Sequence, residues 1–443
     1  MSILIKNATI VTMNQEREIV QGNILLEGDR IVAIGQTREE ADRVIDATGK
    51  VVIPGLIQSH VHLCQTLFRG QADDLELLDW LKLRIWPLEG CHDPESLYYS
   101  AMLGCGELFK GGTTAIIDME TVNHTEVALE AIFKNGMRAV TGKCMMDYGD
   151  DVPESLMEDT DRSIQESVDL LEKWHGKGNG RIQYAFTPRF VVSCTERLLV
   201  EVRDLAQKYN VRVHTHASEN RGEIELVQQD RGMRNVVYLE KIGLAGPNLV
   251  LAHCIWLDEQ EMEILVQSGT KIAHCPSSNL KLASGIAKIP ELISKGAHVS
   301  IGADGAPCNN NLDQFVEMRL AALIQKPIYG PTVMPAEQVF ELATIGGAKA
   351  MGLENEIGSL EVGKKADLAI VDLSGLHTNP LMGKVSIYSQ LVYQAKSSDV
   401  LYTIVDGQIV LDNRVLTTID EEEVKEKCNE AIVRVARRAG VIS

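Results

Sequence analysis

Apolar positions follow two different rhythms along this chain. From residue 2 to about 52 they alternate with polar ones in short runs broken by turn residues, as in 22–35, where Gly28 and Asp29 mark a hairpin. The same texture returns at 366–372 and at 401–411, the latter turning on Asp406 and Gly407. The two ends of the chain are therefore expected to pair in one small β-sandwich domain that brackets everything between them.

From about 53 to 351 the rhythm changes to a short continuous apolar run followed by a helical stripe, repeatedly. Runs at 56–63, 113–119, 138–146, 182–190, 211–219, 249–257, 271–276 and 298–306 predict eight strands. Stretches such as 195–209, 258–268 and 316–325 carry apolar residues at the spacing of one buried helical face. Eight such units predict an α/β fold, a closed parallel (β/α)8 barrel of the TIM type, whose chemistry belongs at the carboxyl ends of its strands. The expected boundaries are 1–54 for the first part of the small β domain, 55–355 for the barrel, 356–418 for the second part of the β domain and 419–443 for a charged terminal helix.

Charge and cysteine usage narrow the partners. Lys and Arg number 43 against 62 Asp and Glu, a net charge of −19 with no basic block. Neither nucleic acid nor an anionic membrane is an expected partner, because phosphate neutralisation and lipid attraction both need cations. The nine cysteines lie scattered in apolar runs without a C-x-x-C pair. That excludes a thiolate zinc ribbon and a cytidine-type deaminase centre, and it reads as buried free thiols in a reducing compartment. Residues 1–10 alternate like a strand, and no apolar run is long enough to span a bilayer. A cytoplasmic location is expected.

Candidate chemistry gathers at the strand exits. His60 and His62, one residue apart at the end of an apolar run, turn both imidazoles to one side. His216, His253 and Asp304 each close a later run. Together His60, His62, His216 and Asp304 offer three nitrogens and one oxygen, a set that suits one divalent ion, zinc or alternatively iron, with a position left for water. Such an ion brings the ionisation of water toward neutral pH. Glu219, three residues beyond His216, is placed to relay protons. His253 is placed to hydrogen-bond the attacked centre or the nucleophile, and Asp304 to share the proton transfer. His214 faces the same way as His216 but deeper, as a core or supporting residue, and His274 reads as structural. Met145, Met146 and the leucines at 77, 78 and 81 read as core or lid packing.

The segments Pro54-Gly-Leu-Ile-Gln-Ser-His60-Val-His62, His216-Ala-Ser-Glu219, Ala252-His253, His274-Cys-Pro-Ser-Ser-Asn279 and Gly302-Ala-Asp304 resemble the amidohydrolase superfamily, in its mononuclear branch of purine and triazine aminohydrolases. Binuclear relatives bridge their metals with a lysine on a middle strand, and 182–190 holds none, so the resemblance implies a single ion. Gln65, Trp80, Glu89, the stretch 142–147, Arg189, Phe190 and 218–221 look like guanine deaminase. That likeness implies that Arg189 and Gln65 hydrogen-bond the purine, that Phe190 packs on it, and that Trp80 and Glu89 complete the pocket. Guanine's O6 and N7 form a fork of acceptors that suits paired arginine donors. The expected reaction is deamination of guanine to xanthine and ammonia. The loop 302–313 looks instead like the deaminases of methylthioadenosine and S-adenosylhomocysteine, which carry a histidine where this chain has Arg189. An adenosine-type deaminase is therefore the alternative, followed by a triazine or pterin amino- or chlorohydrolase and, remotely, a non-catalytic barrel scaffold. Barrels of this kind often associate, so a homo-oligomer is compatible with the sequence, which does not itself fix the oligomeric state.

Overall fold

A computed structural model describes residues 1–38, 40–380 and 386–442. Eight parallel strands form the barrel: β1 (Leu56–His62), β2 (Thr113–Met119), β3 (Arg138–Gly142), β4 (Ile182–Pro188), β5 (Arg212–Ala217), β6 (Leu249–His253), β7 (Lys271–His274) and β8 (His298–Ile301). Each pairs with the next in chain order. After β8 the chain breaks at Gly302 and Ala303 and resumes as Asp304–Gly305, which pairs with β1 through Asp304 opposite Val61 and Gly305 opposite His62. This last pairing closes the ring.

Every predicted strand is present, most ending short of their apolar runs, and two of the runs are interrupted part-way. The run 138–146 is interrupted at Lys143, whose backbone nitrogen donates to the Tyr184 hydroxyl at 3.2 Å and whose carbonyl accepts from the Thr187 hydroxyl at 2.6 Å in place of the strand ladder. The run 298–306 is interrupted because Gly302 lies against the first strand. A Cβ there would come within 2.6 Å of the His60 backbone nitrogen, so only glycine lets Asp304 approach His60. Small and branched residues fill the barrel axis, among them Ile57, Ala115, Ile117, Val140, Ala185 and Val250. Helices pack outside at Glu196–Tyr209, Glu259–Ser268 and Gln314–Leu323. The last starts earlier than its apolar stripe because Asp313 caps it, accepting from the Phe315 backbone nitrogen at 2.9 Å.

The chain ends build a separate nine-stranded sheet. Val51–Pro54 pairs antiparallel with Leu368–Val371, which joins the two ends of the chain. Arg138, at the start of β3, reaches into this sheet and donates to Asp367 at 2.6 and 2.9 Å and to Asp406 at 2.8 Å. The terminal helix Glu421–Arg438 lies on the helix Pro94–Lys110, tied by Arg434 to Asp93 at 3.0 Å. All nine cysteines are free, and eight are buried. Among the described residues no helix is long and apolar enough to cross a membrane.

Candidate active site

Strand exits at one end of the barrel bring the singled-out residues together. His60 and His62 come from β1, His214 and His216 from β5, His253 ends β6, and Asp304 follows β8. All are buried. His253 and Asp304 sit in the left-handed region at φ 72° and 66°, a strained conformation that turns each side chain inward where the strand would otherwise continue.

Hydrogen bonds decide where the ring protons are. His62 Nδ1 donates to the Met119 carbonyl at 2.9 Å and His216 Nδ1 to the Arg189 carbonyl at 2.6 Å, so each presents an unprotonated Nε2. His214 Nδ1 donates to the Val250 carbonyl at 3.1 Å, which leaves its Nε2 to accept from His60 Nδ1 at 2.7 Å. His60 therefore also presents a lone pair at Nε2, and that atom has no hydrogen-bond partner. Burial lowers the pKa of all four histidines, that of His62 to about 3, and keeps them neutral.

Three lone pairs thus converge with a carboxylate. His62 Nε2 and His216 Nε2 face each other at 3.2 Å. Asp304 Oδ1 lies 3.2 Å from His60 Nε2 and 3.4 Å from His62 Nε2. Acceptors this close, with no proton between them, repel one another unless a cation lies among them. The donor set fits a divalent first-row ion, and the candidate ligand atoms of His60, His62 and His216 lie within 4.8 Å of one another.

Around this centre stand groups able to move protons. Glu219 Oε2 is 3.4 Å from His253 Nε2, and His253 Nε2 is 3.8 Å from Asp304 Oδ2. Burial, followed by the nearby charges of Asp304 and Glu223, raises the Glu219 carboxyl well above the usual carboxylate range, and its Oε1 has no partner. Three supporting residues carried no assigned role in the sequence. Asn279 Oδ1 accepts from His253 Nδ1 at 2.9 Å, Ser278 donates to Asp304 Oδ2 at 2.6 Å, and Glu223 accepts from the Glu219 backbone nitrogen at 2.8 Å. Asn279 and Ser278 follow His274 in the His-Cys-Pro-Ser-Ser-Asn segment, which was the available signal. His274 is fully buried, and neither of its ring nitrogens has a partner.

The chamber over the centre is also lined by Gln65, Leu77, Trp80, Leu81, Arg189 and Phe190, and it encloses about 20 Å³. Glu89 lies behind it. Arg189 Nη1 donates to Glu89 Oε2 at 2.6 Å and Nη2 to Oε1 at 3.3 Å, while Gln65 Nε2 donates to the same Oε1 at 2.7 Å. Burial works against the charge of Arg189, but the Glu89 carboxylate outweighs it and holds the guanidinium above its ordinary pKa. Gln65 Oε1 and Trp80 Nε1 are buried without partners.

Residues 51–410 match the model of the Amidohydrolase family. The chain belongs to this family. Among curated amidohydrolases it is 43% identical to the 5'-deoxyadenosine deaminase of Methanobrevibacter smithii, over 97% of both chains. It is 39% identical to the 5-methylthioadenosine/S-adenosylhomocysteine deaminase of Syntrophobacter fumaroxidans, over 96% of both. Its fold matches an adenosine deaminase of Xanthomonas campestris, solved with bound zinc, with a TM-score of 0.92 at 31% identity over 98% of both chains. These relatives overturn the expected guanine substrate in favour of the adenosine-type alternative. The Arg189 side chain assigned to guanine's O6 and N7 is ion-paired with Glu89 on one edge. The chain is a hydrolase acting on C–N bonds.

Proposed function

We propose that the protein hydrolytically deaminates an adenosine-type nucleoside, replacing the 6-amino group by oxygen and releasing ammonia. The observation that carries this reading is the convergence of three acceptor nitrogens, one carboxylate, Glu219 and His253 in one small chamber. Relatives that deaminate 5'-deoxyadenosine, methylthioadenosine and S-adenosylhomocysteine support the substrate class.

A zinc or iron(II) ion held by His60, His62, His216 and Asp304 would supply Lewis acidity, bringing the ionisation of the attacking water toward neutral pH. The residues do the rest. Attack on C6 breaks the conjugation of the purine, so the neighbouring ring nitrogen N1 must gain a proton as the C–O bond forms. Glu219 takes the proton of the attacking water and passes it to N1. His253, whose Nδ1 donates to Asn279, presents Nε2 to accept from the hydroxyl newly bonded to the tetrahedral carbon. Asp304, fixed by Ser278, receives the second proton and returns it to the departing amine, so that the C6–N bond breaks with loss of neutral ammonia. Gln65 and Trp80 supply an unused acceptor and an unused donor to the bound nucleoside, and Phe190 packs on it. The unpaired buried thiols support a cytoplasmic setting.

The test is ammonia release by the zinc- or iron-loaded protein from 5'-deoxyadenosine, methylthioadenosine and S-adenosylhomocysteine. Turnover of at least one is expected. Release from none of them would overturn the reading.

A further inference from the structure

Asp304 holds a backbone conformation that only its surroundings can maintain. Its φ of 66° is strained for any residue but glycine, and such strain persists where neighbours fix it from several sides. Side chains grip the peptide just before it. The Ala303 nitrogen donates to Gln58 Oε1 at 2.7 Å, and the Ala303 carbonyl accepts from Asn309 Nδ2 at 2.8 Å. Gln58 Nε2 also donates to the Leu312 carbonyl at 2.8 Å, which ties the far end of the same turn to β1. Gln58 and Asn309 are both buried.

Glu317 joins this backbone support to the support of the side chain. It is fully buried on the helix Gln314–Leu323, outside the barrel, and it does not line the chamber. Its Oε1 accepts from Asn309 Nδ2 at 2.9 Å, which uses the second N–H of the amide that grips Ala303. The same carboxyl accepts from Ser277, through the backbone nitrogen at 3.1 Å and through the hydroxyl. Ser277 opens the short helix Pro276–Lys281 next to Ser278, whose hydroxyl donates to Asp304 Oδ2 at 2.6 Å. One carboxyl thus secures both the peptide before Asp304 and the turn that holds its carboxylate.

We infer that Glu317, acting through Asn309 and Ser277, is a positioning residue that sets Asp304 for the metal ion and for proton transfer. The inference rests on the reading of Asp304 as ligand and proton carrier given above. Without the Glu317 network Asp304 can relax its backbone, and its Oδ1 leaves the place it holds 3.2 Å from His60 Nε2. The imidazoles are unaffected, because His60, His62 and His216 are held by His214, the Met119 carbonyl and the Arg189 carbonyl. The loss is therefore confined to the oxygen ligand.

Two variants break the network and one serves as control. Glu317→Gln keeps the shape but turns an N–H₂ toward groups that themselves donate, and Asn309→Ala releases the Ala303 carbonyl. Gln325→Ala removes another buried amide, whose Nε2 donates to the Ala287 carbonyl at 3.0 Å with no link to Asp304. For each, zinc affinity is read by competition with a chelator, the ligand set by the visible spectrum of the cobalt-loaded protein, and kcat and KM by ammonia release from 5'-deoxyadenosine. Glu317→Gln and Asn309→Ala should bind zinc about 10- to 100-fold more weakly, change the cobalt spectrum and lose kcat with little change in KM, while Gln325→Ala follows the wild type. Wild-type zinc affinity and cobalt spectrum in both network variants, or an equal loss in Gln325→Ala, would overturn the inference. The expected zinc and cobalt differences without ammonia from any protein, wild type included, would uphold it and overturn the nucleoside reading alone.

Discussion

Arg189 and Glu89 form a buried ion pair whose removal should be felt in stability before it is felt at the metal. The two side chains belong to residues 4% and 1% exposed, and they are joined by contacts of 2.6 and 3.3 Å, with Gln65 as the only further side-chain donor to the Glu89 carboxylate among the described residues. Arg189→Met leaves a buried carboxylate with a single neutral partner, which costs about 3–5 kcal/mol. Spread over the unfolding entropy of a chain this long, that lowers Tm by about 3–5 °C. Metal content should stay at the wild-type level, because His216 is held by the Arg189 backbone carbonyl and not by its side chain. The double variant Arg189→Met/Glu89→Leu removes both charges and should recover most of the loss. Thermal melts of the wild type, both single variants and the double variant, with elemental analysis of each, make the cycle. If Arg189→Met melts with the wild type, or if the double variant is no better than the single, the pair is not what holds this pocket floor, and the reasoning fails.

Other consequences follow from the same geometry. Glu219→Gln should lose about 10²- to 10⁴-fold in kcat/KM with its metal retained, as expected for removal of a proton carrier; metal loss in parallel would make Glu219 structural. His214→Ala removes the acceptor that fixes the His60 tautomer, and should weaken metal affinity about 10- to 100-fold, read by competition with a chelator. Glu317, buried and accepting from Ser277 and Asn309, has its carboxyl raised from 4.5 to about 7, chiefly by burial. Its folded state holds the proton that the unfolded state gives up between these values, so stability falls as pH rises from 4.5 to 7, by about 3 kcal/mol, and is level above. Melts of wild type and Glu317→Gln across that range should show a shallower fall in the variant; parallel curves would exclude the assignment.

Much of the architecture was legible because parallel strands buried on both faces read as continuous apolar runs. The five residues at the strand exits were legible for the same reason, since each ends such a run. Boundaries were less so. Lys143 and Gly302 interrupt strands that the apolar runs carry through, one because its backbone bonds to the Tyr184 and Thr187 hydroxyls, the other because only a missing Cβ allows contact with His60. The ring tautomers were beyond reach, since they depend on carbonyls of Met119, Arg189 and Val250 contributed by neighbouring strands. Substrate choice was misread because the pocket segments resemble guanine deaminase while the whole chain is 39–43% identical to adenosine-type deaminases. The Arg189–Glu89 ion pair was also out of reach, since the two residues are a hundred positions apart.

The central claim is that His60, His62, His216 and Asp304 hold one divalent ion on which deamination depends. Its most direct test is a titration in which the protein is stripped by chelator and zinc is returned in measured equivalents while ammonia release from 5'-deoxyadenosine is followed. The rate should start near zero, rise in proportion to zinc and break at one equivalent per chain. Full activity in the stripped protein, or a rise that passes one equivalent without a break, would contradict the account.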